Sequence, residues 1–250
     1  MIFILKNILT KNNFFIIFKK ILKRFEKNDS LDALNWAKSH AILSTDDFLK
    51  SIDTNLYEES IAVIKNIEKD SNKKLNKIDI SLGGGGNYLL LYFLVRHLKP
   101  NIVFETGVAA GWSTLAILKA IYKNKRGKLY SSDFPYFRIK NANKYIGYLA
   151  KNEKNISDWF LDISGDEIAL PNFLKKIGKN KIDLFHYDSD KSYSGRKNSI
   201  NLIKENLSNN SLIIFDDIQN NLHFRDYVKD NNFEYRVFEF KNKFVGLVGC

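Results

Sequence analysis

Cysteine is almost absent from this sequence. Only one of its 250 residues is a cysteine, Cys250, so an internal disulfide and a cysteine-based zinc cluster are both excluded. A chain without disulfides is expected in a reducing compartment, here the cytoplasm. With 44% hydrophobic residues, it is long and apolar enough to fold around one sizeable core.

The first 27 residues lack a long apolar run. Lys6 and Lys11 interrupt this segment, and its longest apolar run, Phe14–Phe18, has five residues, which is too few to cross a bilayer. The segment also has neither a basic start nor a small-residue cleavage site. A secretory signal peptide is therefore not predicted.

Sequence signatures of nucleic-acid binding are missing as well, although the formal net charge is +11. Lysine and arginine neutralise phosphates, so the charge by itself favours an RNA-binding hypothesis. Residues 1–30 hold seven Lys and Arg against Glu26 and Asp29, a local net charge of +5, and the remaining charge is scattered. Because no RNP-like, zinc-finger or helix-turn-helix pattern accompanies the charge, no nucleic-acid partner is expected.

Residues 1–30 instead have the pattern of a basic amphipathic helix. Its apolar face comprises Phe14, Phe15, Ile17, Phe18, Ile21, Leu22 and Phe25, and its basic face comprises Lys19, Lys20, Lys23, Arg24 and Lys27. Two interpretations remain open. Residues 1–27 either bind a partner or the inner face of the membrane, where the protein would be peripheral, or pack on their own domain.

Residues 31–98 form a predicted helical region that is expected to cover the active-site edge of the core. Helices are predicted over Asp32–His40, from a cap at Ser44 or Thr45, and over Leu56–Asp70. A loop of four glycines follows at residues 83–86 and leads into an apolar helix, Tyr88–Leu98. A linker and a loop moulded round a ligand are both compatible with this composition.

Residues 99–250 form the predicted core, in which strand-like and helical segments alternate. This alternation predicts an α/β fold with a Rossmann-like, mostly parallel sheet and helices on both faces, and the last two apolar runs predict an antiparallel hairpin. The predicted strands are Ile102–Glu105, Lys128–Ser132, Trp159–Ile163, Ile182–Tyr187, Leu212–Phe215, Phe233–Phe240 and Phe244–Val248. The predicted helices are Trp112–Lys123, Arg138–Lys151, Ala169–Ile177, Gly195–Asn206 and Asn220–Lys229.

The most informative stretch of the core is Asn101–Leu118, NIVFETGVAAGWSTLAIL. A short apolar strand ends in Glu105 and turns through Gly107 and Gly111 into a helix. Glycines let a ligand approach the main chain, and Ser113 can donate a hydrogen bond near the helix start. Glu105 is expected to face that ligand at the carboxyl edge of the sheet, where it would hold a cationic or hydroxylated small molecule.

The spacing E-x-G-x-x-x-G resembles the first motif of class I S-adenosylmethionine (SAM)-dependent methyltransferases and fits the dinucleotide fingerprint poorly. The resemblance implies SAM as cofactor, a seven-stranded sheet with an antiparallel end, and a SAM site that includes Glu105, Gly107, Ala109, Gly111 and Ser113. For this motif alone, a glycine turn between packed elements is the alternative.

Two more strands end in acids that suit a nucleoside. Asp133 follows the second strand, where an acid can accept hydrogen bonds from both ribose hydroxyls, and the resemblance implies that role here. The turn Ser-Gly-Asp after the third strand resembles the one that lies along the adenine ring, which assigns Gly165 and Asp166 to the cofactor. A turn cap for Asp133 and an ordinary helix start for Asp166 are the alternatives.

Acids also close the fourth and fifth predicted strands: Asp188 the fourth, Asp216 and Asp217 the fifth. Neighbouring strands lie about 4.8 Å apart, so these carboxylates would repel one another, and a divalent cation would relieve the repulsion. A site for Mg²⁺ or a similar hard ion is therefore predicted, with the three acids and water as ligands. The alternative is that the acids cap helices and pair with Lys191 or Arg196.

The pattern D-x-D-K-x-Y that starts at Asp188, together with the later strand ending in D-D, resembles the metal-dependent catechol-type O-methyltransferases and their relatives acting on sugars, as in methyltransferase family 24. The resemblance implies Asp188, Asp216 and Asp217 as metal ligands, with Asp188 also at the SAM site. It implies Lys191 as the base that deprotonates the acceptor hydroxyl. Catechol-type enzymes often have asparagine in place of Asp217, which leaves the choice of metal open.

Three basic side chains near these acids have further interpretations. Lys191 is alternatively an ion-pair partner of Asp188 or Asp190. His223, in the helix after the acid pair, is the reserve candidate for the base. His186 lies inside the fourth strand and is expected in the core or behind the ligands.

The hypothesis that follows is a SAM-dependent O-methyltransferase that uses a divalent metal on a small polyhydroxylated acceptor. A sugar acceptor is suggested by family analogy. The alternatives are an RNA methyltransferase, for which only the charge argues, and a non-catalytic membrane-binding or partner-binding module on the same fold. A homo-oligomer is left open.

Overall fold

The computed structural model describes residues 26, 28–42, 44–134, 136, 140–153 and 156–249. Of the N-terminal amphipathic helix predicted over residues 1–30, only residues 26 and 28–30 are among those described. The described residues form eight α-helices: α1 Ser30–His40, α2 Thr45–Ile52, α3 Thr54–Leu75, α4 Tyr88–Leu98, α5 Trp112–Asn124, α6 Asp166–Ile177, α7 Tyr193–Ile203 and α8 His223–Asp230. They also form seven strands: β1 Ile102–Thr106, β2 Lys128–Ser132, β3 Trp159–Asp162, β4 Ile182–Tyr187, β5 Leu207–Phe215, β6 Tyr235–Phe240 and β7 Lys243–Val248.

The seven strands form one sheet in the order β3-β2-β1-β4-β5-β7-β6. Strands β1 to β5 run parallel, whereas β7 is antiparallel to both of its neighbours, β5 and β6. The predicted Rossmann-like sheet with a C-terminal antiparallel hairpin is confirmed. The strand order reverses direction between β1 and β4, and open parallel sheets bind ligands at the carboxyl side of such a reversal.

Two apolar layers hold helices on the two faces of the sheet. Side chains alternate along a strand, so Val103 joins the layer that contains α4 and α5, and Phe104 joins the layer that contains α6 and α8. Both side chains have no exposed surface. The core therefore lies on both sides of the central strands and presents their carboxyl ends at one edge.

Helix α4 belongs to this core and is not a cover over the active-site edge. Seven of its eleven residues are buried. Tyr92 of α4 donates a hydrogen bond to Glu59 of α3 at 2.8 Å, which joins the helical region to the core. Ser44 is the cap of α2, because its Oγ accepts a hydrogen bond from the N–H of Asp47 at 3.1 Å.

The helix predicted over Arg138–Lys151 is wrong in its described part. That part has a 3₁₀ turn at Ala142–Lys144, followed by further turns. The N–H of Gly147 donates to the carbonyl of Ala109 at 2.8 Å, so it is not available to an α-helix. The segment follows the loop between β1 and α5 because its backbone bonds to that loop.

The helix predicted from Asn220 begins later, at His223. Asn221 interrupts it with an extended backbone and an Oδ1 that accepts a hydrogen bond from the N–H of His223 at 3.1 Å. Its Nδ2 donates to the carbonyl of Lys191 at 2.6 Å. The interruption therefore ties the segment after β5 to the segment after β4.

None of the helices in the described part of the chain has the length and apolarity that a bilayer crossing requires.

Candidate functional site

Asp133 holds the loop between β1 and α5 from the end of β2. Its Oδ2 accepts hydrogen bonds from the N–H of Val108 at 3.1 Å and of Ala109 at 2.7 Å, and its Oδ1 accepts from Phe134 at 2.6 Å. A carboxylate offers about four lone-pair positions, so about one remains for a ligand. Burial raises the pKa of Asp133 to about 6, although the three N–H groups favour the ionised form.

The two glycines of the first motif are required by neighbouring main chain. Gly107 and Gly111 have φ of 84° and 93°, which side chains disfavour. A Cβ at Gly107 would lie 2.5 Å from the carbonyl oxygen of Asp188, and a Cβ at Gly111 would lie 3.0 Å from Cα of Gly147. These glycines therefore let other segments of the main chain approach the loop. The sequence had predicted that they let a ligand approach it.

Glu105 does not face the cleft, contrary to the prediction. Its side chain is fully buried. The carboxylate accepts hydrogen bonds from the hydroxyls of Ser113 at 2.6 Å, Thr114 at 2.8 Å and Ser131 at 2.7 Å. Glu105 therefore joins β1, β2 and the start of α5, and the hydroxyl of Ser113 is directed to it instead of to a ligand.

Asp166, the first residue of α6, also has partners within the protein. Its Oδ1 accepts a hydrogen bond from Ser132 at 2.6 Å, and its Oδ2 accepts one from the hydroxyl of Ser189. Gly165 before it has a φ of 91°, and a Cβ there would lie 3.1 Å from the ring of Phe134. Asp166 thus connects the ends of β2 and β4, and its contact with adenine stays a prediction.

Asp188 and Asp216 lie together at the carboxyl edge, and His186 lies beside them. Each of the three offers one ligand atom, and these atoms are all within 4.8 Å of one another. Strand pairing causes this, because the N–H of Asp188 bonds to Thr106 and the N–H of Asp216 to Tyr187, both at 2.9 Å. Burial and the charge of Asp216 raise the pKa of Asp188 to about 7.

Asp217, the third predicted ligand, is directed to two lysines. Its Oδ2 lies 3.1 Å from Nζ of Lys191, and its Oδ1 lies 3.0 Å from Nζ of Lys243. Burial opposes the charge of Asp217, but the two lysines outweigh burial and lower its pKa. Lys191 also donates to Asp188, so its ammonium bridges the acids that follow β4 and β5. The sequence offered, as the alternative to a base, an ion pair of Lys191 with Asp188 or Asp190. The structure has the pair with Asp188, and the second partner is Asp217.

His186 lies in the core, as expected, but between two acids. Its Nδ1 is 3.7 Å from Glu105 and its Nε2 is 3.7 Å from Oδ1 of Asp216. Burial lowers the pKa of His186, yet the two carboxylates outweigh burial and raise it to about 10. Within the described residues, neither ring nitrogen nor Oδ1 of Asp216 has a hydrogen-bond partner. A proton on the ring, or a cation bound by the same atoms, would satisfy this buried group.

Solved structures share this fold at low sequence identity. A methyltransferase from Geobacter sulfurreducens is 16% identical, over 77% of this chain and 90% of that one, with a TM-score of 0.51. An O-methyltransferase from Bacillus cereus in complex with SAH is 12% identical, over 86% and 100% of the chains, with a TM-score of 0.53. The SAH-bound methyltransferase PaMTH1 of Podospora anserina is 13% identical, over 83% and 97%, with a TM-score of 0.51. No curated protein sequence matches the chain.

Residues 104–218 match the family model described as a methyltransferase domain. This match begins in β1 and ends after Asp217, so it contains all of the acids of the candidate site. The chain contains a class I SAM-dependent methyltransferase domain. The predicted enzyme class is confirmed.

In the methyltransferase, His223 lies among aromatic rings. It stacks on Tyr227 with the ring centroids 5.9 Å apart and meets Tyr193 edge-on at 5.1 Å. Burial and the charge of Arg196 lower the pKa of His223 to about 3, which keeps the imidazole neutral. His223 is therefore a core histidine, and its position does not support the predicted role of reserve base.

Arg196 supports the acid pair of the methyltransferase through the main chain, whereas the sequence suggested only an ion pair with the carboxylates. Arg196 is fully buried, and its Nη2 donates to the backbone carbonyls of Asp216 and Asp217. No local pattern signals this contact. For His186 a signal exists, because a histidine within the apolar strand IDLFHY directly precedes the acids of the site.

Proposed function

We propose that the methyltransferase transfers the methyl group of SAM to a hydroxyl of a small polyhydroxylated acceptor, with a divalent cation, Mg²⁺, beside that hydroxyl. A sugar is the acceptor class that we favour, by family analogy. The observation that supports this function best is the cluster of His186, Asp188 and Asp216 next to Lys191 at the carboxyl edge of the sheet. The Bacillus cereus neighbour of the same fold is an O-methyltransferase.

We place SAM between the ends of β1 and β2, beside these acids. Asp133 has about one lone-pair position left for a ribose hydroxyl. Tyr136 is half-buried, and burial together with the charges of Asp133 and Asp188 raises its pKa, so its hydroxyl lies in the field of both acids. A negative field suits the sulfonium of SAM. The two SAH-bound neighbours support a cofactor of this kind.

The donor set fits a small divalent cation. It comprises two carboxylates and one imidazole, and three of its buried atoms have no partner within the described residues. Carboxylate oxygens suit Mg²⁺, and an imidazole ligand also admits Mn²⁺. When bound, the cation supplies a Lewis acid that lowers the pKa of the acceptor hydroxyl. Asp217 then serves to hold Lys191 and Lys243 instead of the cation.

Lys191 is the group to which we assign proton transfer. Its side chain is 29% exposed, so an acceptor can reach it, and Asn221 holds its backbone carbonyl at 2.6 Å. In its amine form, Nζ takes the proton from the acceptor hydroxyl. The oxygen then forms a bond to the methyl carbon as the bond from carbon to sulfur breaks, and SAH leaves.

The test is methyl transfer from labelled SAM to a panel of sugars and catechols. We expect activity to be lost with EDTA and to return with added Mg²⁺. Full activity in EDTA would remove the cation from the mechanism. Absence of SAM binding in calorimetry would favour a non-catalytic module. Methylation of RNA, with binding that falls steeply as salt rises, would favour the RNA methyltransferase.

A further inference from the structure

The loop of four glycines, residues 83–86, lies against the site, and its two halves differ. At the first two glycines an added Cβ would meet nothing within 4 Å. At Gly85 an added Cβ would overlap the side chain of Trp112. At Gly86 it would overlap the carboxylate of Asp216, 2.7 Å from Cγ. The second half of the loop is therefore packed against Trp112 and Asp216, and the first half is open.

Gly86 is held in this position by the start of α4. Its carbonyl accepts a hydrogen bond from the N–H of Tyr88 at 2.7 Å. Asn87 caps the helix, because its Oδ1 accepts from Leu90 at 3.1 Å, and it is 2% exposed. Since α4 is a core helix, the end of the loop cannot retreat from Asp216 without moving the core.

Tyr88 fixes the first turn of α4 from three sides. Its ring lies nearly parallel to that of Trp112 with the centroids 5.6 Å apart, and meets Phe240 edge-on at 5.4 Å. Its hydroxyl donates to Glu68 and accepts from Lys241 at 2.5 Å. The ring of Trp112, which lies next to Gly85, is therefore held in place by the first turn of α4.

We propose that Gly86 is a positioning residue, which sets the orientation of Asp216 at the carboxyl edge of the sheet. The backbone of Gly86 covers Oδ2 of Asp216, while Oδ1 is buried without a hydrogen-bond partner in the described part of the chain. A carboxylate shielded on one side presents its other oxygen in one direction, as a metal ligand requires. The inference rests on the proposed function only in naming a cation as the group that Asp216 holds.

The first test compares Gly86→Ala with Gly84→Ala in the full chain. Gly84 is the matched control, because it lies in the same loop, has no positive φ and has open space for a Cβ. With Mn²⁺ alone as the titrant, Gly86→Ala is expected to bind the metal about 10- to 100-fold more weakly. Gly84→Ala should keep the wild-type affinity, and both variants should bind SAM like the wild type. Wild-type Mn²⁺ affinity in Gly86→Ala, or equal losses in both variants, would overturn the proposal.

The second test needs no metal. Asp216→Ala removes the atoms that a Cβ at Gly86 would overlap. Gly86→Ala should therefore lower the thermal unfolding midpoint of the wild type and change it little in the Asp216→Ala background. If Gly86→Ala alone does not fold, the double variant should fold, and equal damage in both backgrounds refutes the proposal.

The two tests separate this inference from the proposed function. A wild-type protein that transfers methyl groups but binds no Mn²⁺ would refute the proposal that a divalent cation takes part in the reaction. The contact between Gly86 and Asp216 would then be decided by the unfolding midpoints alone.

Discussion

Nη2 of Arg196 donates a hydrogen bond to the backbone carbonyl of Asp216 at 2.8 Å. The same nitrogen donates to the carbonyl of Asp217 at 2.9 Å. Arg196 is fully buried, and burial lowers its pKa. A cation inside the protein thus holds the two acids through their backbone carbonyls and makes no hydrogen bond to their carboxylates.

Replacing Arg196 by methionine is expected to destabilise the methyltransferase. Methionine fills much of the volume but leaves the two carbonyls without their donor, which costs about 1–3 kcal/mol of unfolding free energy. Urea denaturation measures this. Arg225→Met is the control, because Arg225 is 37% exposed and pairs with its neighbour Asp226 at the surface, where the change should be within about 0.5 kcal/mol. A variant as stable as the wild type would mean that the buried charge can be dispensed with.

Glu105→Gln distinguishes an internal anchor from a ligand contact. The amide would bring a donor to a place where three hydroxyls already donate, so we expect a loss of about 1–3 kcal/mol in unfolding free energy. The denaturation midpoint measures it, with the exposed Glu234→Gln as the control. An unchanged midpoint together with weaker SAM binding would restore Glu105 as a ligand contact.

The raised pKa of Asp133 predicts that the free energy of unfolding falls as the pH rises. Its pKa is raised from 3.8 to about 6 in the fold, so the folded state retains a proton that the unfolded state has lost. Asp133 therefore contributes its full stabilisation below the unfolded pKa of 3.8. This contribution to the free energy of unfolding is lost, about 3 kcal/mol in all, as the pH rises through the folded pKa of about 6.

Urea denaturation of the wild type and Asp133→Asn at pH 4 and pH 7 tests this dependence. The wild type should lose stability relative to the variant between the two pH values. Parallel pH profiles would contradict the raised pKa.

Lys191→Met is expected to lower kcat by about 10²- to 10⁴-fold, because the acceptor loses its proton acceptor. Lys243→Met is the matched control, since Lys243 pairs with the same acid, Asp217, and is 56% exposed. SAM binding should be unchanged in both variants. Equal losses of kcat would reduce Lys191 to an ion-pair partner.

Asp216→Asn and Asp217→Asn separate the two candidate sets of metal ligands. Asp217 is held by two lysines and has a φ of 54°, which asparagine tolerates, so Mn²⁺ affinity should change less than about threefold. Asp216→Asn should weaken it at least about tenfold. The reverse order would return Asp217 to the ligand set.

The sequence predicted the sheet well and the irregular segments poorly. Strands β2 and β4 have the predicted bounds, because each is a short segment between turn signals. The helix Arg138–Lys151 failed because Gly147 bonds to Ala109, about forty residues earlier in the chain. A periodic pattern reports local preference and contains no information about such a distant partner.

For the candidate site, the strand ends were predictable and the partners of the acids were not. Asp188 and Asp216 were placed together because parallel strands end at one edge. That Glu105 faces hydroxyls depends on how the start of α5 packs on β1. That Asp217 faces two lysines depends on the segment after β4 and on the C-terminal hairpin.

By itself the sequence determined the alternation of strands and helices, and with it which acids reach the carboxyl edge of the sheet. Only the tertiary structure decided what each acid contacts, including the approach of Gly86 to Asp216 and of Arg196 to its carbonyl. The physical reason is range. Hydrophobic periodicity acts over a few neighbouring residues, whereas hydrogen bonds and ion pairs act over a few ångströms between residues that folding alone brings together.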